Sequence, residues 1–212
     1  HASVLVLHLD WSDPGLVLLV PSVILAGLFI PLLLQSLTPE GMGRGLERLA
    51  FTVLGYLLLA VPLYLAQGLC QRSLAWMIWL LVVVKGGDTG AYLVGIFLGR
   101  HKLIPHVSPG KSWEGLFGGL LFSGLLGVLF SFMIAGEALG ESLLLCLLLA
   151  IMAGMSAQLS DLLESVIKRS CGVKDSSSLL PAHGGVLDLV DSLILSVPLL
   201  FLLLVLHGDA LV

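Results

Sequence analysis

The stretch VLDLVDSLILSVPLLFLLLVL, residues 186–206, is one of six in which apolar side chains run for about 20 residues with few interruptions. Hydrocarbon offers no partners to backbone N–H and C=O groups, so a spanning segment of about that length satisfies them internally as a helix. The six lie near 16–37, 49–69, 74–99, 115–136, 142–162 and 186–206. None alternates polar with apolar residues as a strand of a membrane barrel would. The expected fold class is therefore all-α: a polytopic integral membrane helical bundle of about six transmembrane helices. Composition agrees, since 58% of the 212 residues are hydrophobic and only 11% charged, with a mean hydropathy of +1.08. Ordinary soluble domains do not reach those values. Two regions are expected, N-terminal membrane helices over 1–72 and a membrane domain over 73–212 that carries the candidate site. The chain opens on His1 with no signal-peptide pattern, which predicts a fragment lacking an N-terminal portion. Cys70, Cys146 and Cys171 are odd in number and are expected to be free thiols.

The formal net charge of −4 is weak, so its distribution matters more. Arg44 and Arg48 fall in the first connection, Arg100, Lys102 and Lys111 in the third, and Lys168, Arg169 and Lys174 in the fifth. Six alternating spans put these on one face, which then holds eight of the ten basic residues. Basic residues accumulate on the cytoplasmic side of membrane proteins, so that face is expected to be cytoplasmic. A bias of this kind belongs to a bilayer resident, and no nucleic-acid partner is expected.

The tenth basic residue, Lys85, lies inside the third span in VVVKGGDTGAYLVG, three residues before Asp88. An ionisable group at that depth costs a few kcal/mol or more and faces a bundle interior or a watery cavity. Two readings stay open: a structural feature, either an i, i+3 ion pair or a helix broken at Gly86-Gly87, and a polar cavity wall. Asp88 is the stronger candidate for the wall, with Thr89 and Tyr92 beside it. The third connection, GRHKLIPHVSPGKSWEG, cannot be one helix, because Pro105, Pro109 and Gly110 interrupt it. Ser112 suits a helix N-cap and Trp113 an interface, so an ordered interfacial loop is expected. Its Ser108 and Lys111 suit an anionic headgroup or a nucleotide phosphate.

In QLSDLLESVIKRS, Asp161, Glu164, Ser165 and Lys168 are spaced i, i+3, i+4 and i+7 and share one helical face. The helix is expected to end near Gly172; Lys174 and Asp175 follow, and SSSLLPAHGG turns the chain around. The last span then begins with Asp188, Asp191 and Ser192, again i, i+3 and i+4. Two carboxylate faces should therefore meet at the cytoplasmic mouth, joined by a glycine turn. Carboxylates ringed by lysine and arginine suit a divalent metal that bridges phosphates.

These residues carry a resemblance. The run S-x-x-K-R-x4-K-D from Ser165, then P-x-H-G-G-x-x-D from Pro181 and a further Asp at 191, resembles the signature of the phosphatidate cytidylyltransferase (CDP-diacylglycerol synthase) family. GDTGAYLVG and SPGKSWEGLFGG are similar to the same family, so the likeness covers roughly residues 85–195. It implies an integral membrane enzyme, with the bacterial inner (plasma) membrane as its expected location. The reaction implied transfers CMP from CTP to phosphatidic acid and releases pyrophosphate, with Mg2+ as cofactor and a monovalent cation such as K+ as a second candidate. Carried onto this chain, the resemblance makes Asp161, Asp188 and Asp191 metal-binding and catalytic, with Lys168 catalytic beside them. Arg169, Lys174 and His183 would hold phosphates, and Gly184 and Gly185 would admit their close approach. Asp88, Ser108 and Lys111 would line the substrate cavity, with Ser165 and Asp175 also facing substrate. The cavity should open sideways to lipid, and a homodimer is the candidate assembly.

Three positions depart from the family pattern. Ser160 stands where G-D-L is usual, Ala182 where G-H-G-G is frequent, and Leu189 where D-R-x-D carries arginine. The loss at 189 removes a charge expected to face phosphate and predicts weakened activity. The alternatives are a CTP-dependent polyprenol kinase, and an ion- or proton-coupled transporter whose path runs through Lys85, Asp88 and Asp161.

Overall fold

A computed structural model describes residues 29–30, 34, 45–134, 143–177 and 185–206. Chain contacts divide the protein into two compact units, 1–64 and 65–212. Among the described residues, six helices and one hairpin follow in order: α1 Gly45–Arg72, α2 Leu74–Leu98, β1 Lys102–Ile104, β2 Ser108–Ser112, α3 Trp113–Ile134, α4 Leu143–Ser170, α5 Val186–Val190 and α6 Leu193–Leu206. Five stretches are long and apolar enough to cross a membrane: Leu49–Arg72, Leu74–Leu98, Trp113–Phe132, Leu143–Ser170 and Leu187–Leu206. These match five of the six expected spans closely, and the helical membrane bundle is the observed class. The expected span at 16–37 lies almost wholly outside the described residues. In the first unit the described backbone is chiefly the N-terminal part of α1.

The second unit is built with small and polar side chains inside and large apolar ones outside. On α3, Phe117, Leu121, Leu125 and Phe132 lie 63–70% exposed along one stripe, whereas Ser123 and Ser131 are buried. On α4, Leu144, Leu148 and Leu159 face outward while Ala150, Ala153 and Ala157 are buried. Lipid solvates the outer stripe, so helix association rests on close packing of small residues rather than on water exclusion. The pair α2 and α3 shows this most strongly. A methyl group on Gly90 would stand 2.5 Å from Phe122 Cβ, and one on Gly118 would stand 2.5 Å from Val94 Cβ. The helix axes approach as closely as they do because those Cβ atoms are missing. Trp79 Nε1 fixes the same pair, donating to Gly127 O at 2.8 Å. Around it Leu80, Val83, Val84, Leu149, Val197 and Leu200 form the apolar core.

Two expectations about local structure come out differently. The third connection, expected as an ordered loop, takes the more regular form of an antiparallel hairpin, pairing Lys102 with Ser112 and Ile104 with Ser108 across a register shift. Pro109 and Gly110 lie in its longer arm, where a residue without an N–H and one without a side chain suit the irregular stretch. The helix break suggested at Gly86-Gly87 is absent: α2 runs unbroken through it. A break occurs instead in the last span, at Asp191-Ser192 between α5 and α6.

Helix ends follow the local sequence. Ser73 caps α2, accepting from Ala75 N at 3.3 Å. Ser112 caps α3 as expected, accepting from Gly115 N at 3.1 Å. Gly172, with φ +72°, ends α4; Val173 N bonds to Lys168 O and Gly172 N to Arg169 O, both at 3.0 Å. That pairing is a Schellman motif, which needs the left-handed backbone glycine supplies. At 28 residues α4 is about 42 Å long, some 12 Å more than a hydrocarbon core, so its charged end extends beyond the apolar layer. All three cysteines are free thiols, as expected.

Candidate active site

A cavity of about 730 Å³ opens where α2, the hairpin, the start of α3, the charged end of α4 and α5 converge. Its wall brings together Asp88, Ser108, Lys111, Asp161, Asp188 and Asp191, six residues singled out in the sequence, from elements a hundred residues apart. Lys85, Lys102 and Gln158 line it as well. The apolar part of the wall includes Tyr92 and Ile96, whose side chains are 67% and 59% exposed on the outer surface of α2. Asp88 lies ten residues, about 15 Å, inside the end of α2, so the cavity is sunk into the bundle rather than resting on its end.

The hairpin supplies Lys111, whose Nζ lies 2.7 Å from Asp161 Oδ2. It is held in place at its base by Glu114 in the first turn of α3, which accepts from Arg100 N and His101 N, each at 3.2 Å. His101 Nδ1 lies 2.6 Å from the other oxygen of the same carboxylate. At the other end of the hairpin Arg169 Nε donates to Val107 O at 3.3 Å.

On α4, Ser165 Oγ lies 3.5 Å from Asp161 Oδ1 and Lys168 Nζ lies 2.5 Å from Glu164 Oε2. The same ammonium reaches Asp188 Oδ1 at 2.6 Å and so ties α4 to α5. Asp188 is occupied on its other oxygen too, which accepts from Ser176 N at 2.9 Å, Ser176 Oγ at 2.5 Å and Gly185 N at 2.7 Å. Its carboxylate thus ties Ser176, beyond α4, to Gly185 at the start of α5. The carboxylates that converge are Asp161, Glu164 and Asp191, each offering one oxygen within 4.8 Å of the others. Oxygen donors at that spacing fit a hard divalent cation. Formal charge points the same way: Asp88, Asp161, Glu164, Asp188 and Asp191 outnumber Lys85, Lys102, Lys111 and Lys168, the lysines described at the cavity, by one.

The remaining expected residues are placed as follows. Arg169 is engaged with Val107 O and with Val173 O at 2.9 Å and does not line the cavity. Lys174 and Asp175 are exposed in the bend after α4. Gly185 is buried at the start of α5, and its bare Cα allows the approach of Ser177, whose N would lie 3.1 Å from an added Cβ. His183 and Gly184 lie outside the described residues. Glu164 was legible as a member of the Asp161 face through its i+3 spacing, but no ligand role followed from spacing alone. Gln158, one turn earlier on α4, carried no signal beyond polarity in an apolar run.

An integral membrane bundle with a sunken acidic and basic cavity defines the class, and comparison with known proteins defines the lineage. The cytidylyltransferase family matches residues 3–207, and the chain belongs to that family. It is similar to the phosphatidate cytidylyltransferase of Haemophilus influenzae, 42% identical over 128 residues that make up 60% of this chain and 44% of the relative. The Bacillus subtilis phosphatidate cytidylyltransferase is 37% identical over 142 residues, 67% of this chain and 52% of the relative. That of Mycobacterium tuberculosis is 32% identical over 156 residues, 72% of this chain and 46% of the relative. The chain spans about half the length of the curated relatives it matches.

Proposed function

We propose that this chain carries the active site of a phosphatidate cytidylyltransferase, which joins CTP to phosphatidic acid to give CDP-diacylglycerol and pyrophosphate. The observation that carries the reading is the cavity itself, where Asp161, Asp188 and Asp191 share a wall with Lys85 and Lys111. A phosphate oxygen of phosphatidic acid would attack the α-phosphorus of CTP. The new P–O bond forms as the bond to the bridging oxygen of the β-phosphate breaks, and pyrophosphate leaves with that electron pair. The lipid phosphate is already ionised near neutral pH, so no strong general base is needed. Positioning and charge neutralisation are what the protein has to supply.

Asp161, Glu164 and Asp191 would hold Mg2+, which neutralises phosphate charge when bound. Lys111, carried on the hairpin and paired with Asp161, stands where it can turn from carboxylate to phosphate. Lys168 draws Asp188 toward α4 and so keeps Asp191, three residues on, beside Asp161 and Glu164. Tyr92 and Ile96, exposed on the outer surface beside the cavity, would let diacyl tails stay in lipid while the headgroup enters. The bias of basic residues toward this end supports a cytoplasmic orientation, where CTP is available. The test is purified protein in detergent with Mg2+, CTP and phosphatidic acid. CDP-diacylglycerol and pyrophosphate in equal amounts are expected. Release of CDP with a phosphorylated lipid alcohol, in a parallel reaction that offers a polyprenol in place of phosphatidic acid, would assign kinase chemistry instead, and absence of both products would overturn an enzymatic reading.

A further inference from the structure

Of the four lysines described at the cavity, Lys102 is exposed on the hairpin and the other three meet carboxylates, where they are held unequally. Lys111 lies 2.7 Å from Asp161 with its side chain 18% exposed. Lys168 lies 2.5 and 2.6 Å from Glu164 and Asp188 and is 14% exposed. Lys85 differs on both counts: its nearest carboxylate oxygen, on Asp88, is 3.5 Å away, and its side chain is 43% exposed. The close partners of its ammonium are neutral oxygens, Ser192 Oγ at 2.8 Å and Leu189 O at 3.1 Å. A cation in contact with a carboxylate has most of its field cancelled there, whereas one resting on hydroxyl and carbonyl oxygens keeps it for an incoming anion. Lys85 also lines the cavity.

Its neighbour gives this placement a second meaning. Leu189 lies between Asp188 and Asp191, where the D-R-x-D form of the motif has arginine. The Leu189 side chain is 47% exposed and does not line the cavity, while its carbonyl receives the ammonium of Lys85. A positive charge therefore reaches the segment between the two aspartates from α2 instead of from within the segment. A lysine merely anchored at an interface would point its ammonium to solvent; this one points at the break between α5 and α6.

We propose that Lys85 is a phosphate-facing cation of this cavity, delivering from the second described span the charge that position 189 lacks. The proposal rests on reading the cavity as a CTP site. Nucleotide or pyrophosphate oxygens would take the ammonium's free face, with Ser192 Oγ and Leu189 O holding it in position.

The experiment compares wild type with Lys85→Gln and Lys85→Arg by calorimetric titration of CTP with Mg2+ and of pyrophosphate with Mg2+, beside a melting curve for each. Glutamine keeps an N–H for Leu189 O and Ser192 Oγ but carries no charge, so a tether would survive it and a phosphate contact would not. Lys85→Gln is expected to weaken both ligands at least tenfold with an unchanged melting point, and Lys85→Arg to stay within about threefold of wild type. Equal binding by Lys85→Gln and wild type overturns the proposal. A wild-type protein that binds neither ligand overturns both the proposal and the CTP reading, whereas one that binds them but makes no CDP-diacylglycerol overturns only the reaction.

Discussion

Two spans face each other across the cavity, and each breaks the obvious rule for its sequence. Helix α2 contains Gly86, Gly87 and Gly90 within five residues and runs straight through them. The last span has Asp191-Ser192 where α2 has its glycines, and there the helix stops and restarts. Glycine weakens a helix in water because it exposes backbone and has the most freedom to lose. In α2 neither cost is realised, because α3 packs over the glycines and Ser123 Oγ donates to Val83 O at 3.0 Å. The last span can break because side chains stand at the carbonyls around the break, where Asp191 O also accepts from Ile194 N at 3.3 Å. Lys85 donates to Leu189 O, Ser160 to Asp191 O, and Ser196 to Ser192 O at 2.8 Å. Backbone irregularity at membrane depth survives where protein side chains satisfy it, and here that is the wall from which Asp188 and Asp191 project.

The largest effect that would break this comparison lies at the end of the interrupted span. Asp191→Asn keeps size and hydrogen bonding but removes one of three converging carboxylate charges, so turnover is expected to fall at least about 100-fold with an unchanged melting point. Near-normal CDP-diacylglycerol synthesis by this variant would show that the break serves packing alone. On the continuous span, Gly90→Ala forces a methyl group against Phe122 at its ring and at its Cβ, which the backbone fixes in place. Overpacking of this kind costs about 2 kcal/mol, to be read from unfolding in mixed detergent. Gly86→Ala meets the mobile tip of Leu126 and is expected to cost much less. Equal stability of the two variants would mean that α2 and α3 are not packed through Gly90.

The sequence revealed this comparison only in part, and the reason is physical. Apolar runs of spanning length are enforced by lipid one segment at a time, so five spans were legible to within a few residues at most ends. The far end of α4 was legible too, because Gly172 supplies a backbone conformation that other residues avoid. Neither the continuity of α2 nor the break in the last span is a local property. Each depends on what lies opposite: Phe122 and Ser123 in one case, Lys85 and Ser160 in the other. The site divides the same way. Asp161, Asp188 and Asp191 were legible as a set because motif spacing puts them on helix faces that meet. That Lys168 and Ser176 would claim Asp188 while Glu164 joins Asp161 and Asp191 depends on side-chain reach across chain segments, which spacing does not encode.

Two departures from the family pattern sharpen the comparison with smaller effects. Ser160, in place of the usual glycine, is fully buried; its hydroxyl donates to Asp191 O and accepts from Leu195 N at 3.3 Å. Ser160→Ala leaves both backbone groups of the break without that partner and is expected to cost about 1 kcal/mol of stability. An unchanged unfolding midpoint would mean that the break needs no support from α4.

Leu189→Arg is expected to do least. From the sequence alone the missing arginine predicts a gain in activity, since a charge between two aspartates would be restored. The structure changes that expectation, because the ammonium of Lys85 already lies 3.1 Å from Leu189 O, and the side chain at 189 does not line the cavity. A second cation added there meets a position already supplied, so kcat/KM for CTP should change by less than about twofold, under 0.5 kcal/mol of transition-state stabilisation. In a Lys85→Gln background the same substitution has more to restore, and any gain should appear there first. A several-fold rise from Leu189→Arg in the wild-type background would show that the charge is absent after all, and that Lys85 holds the break without serving phosphate.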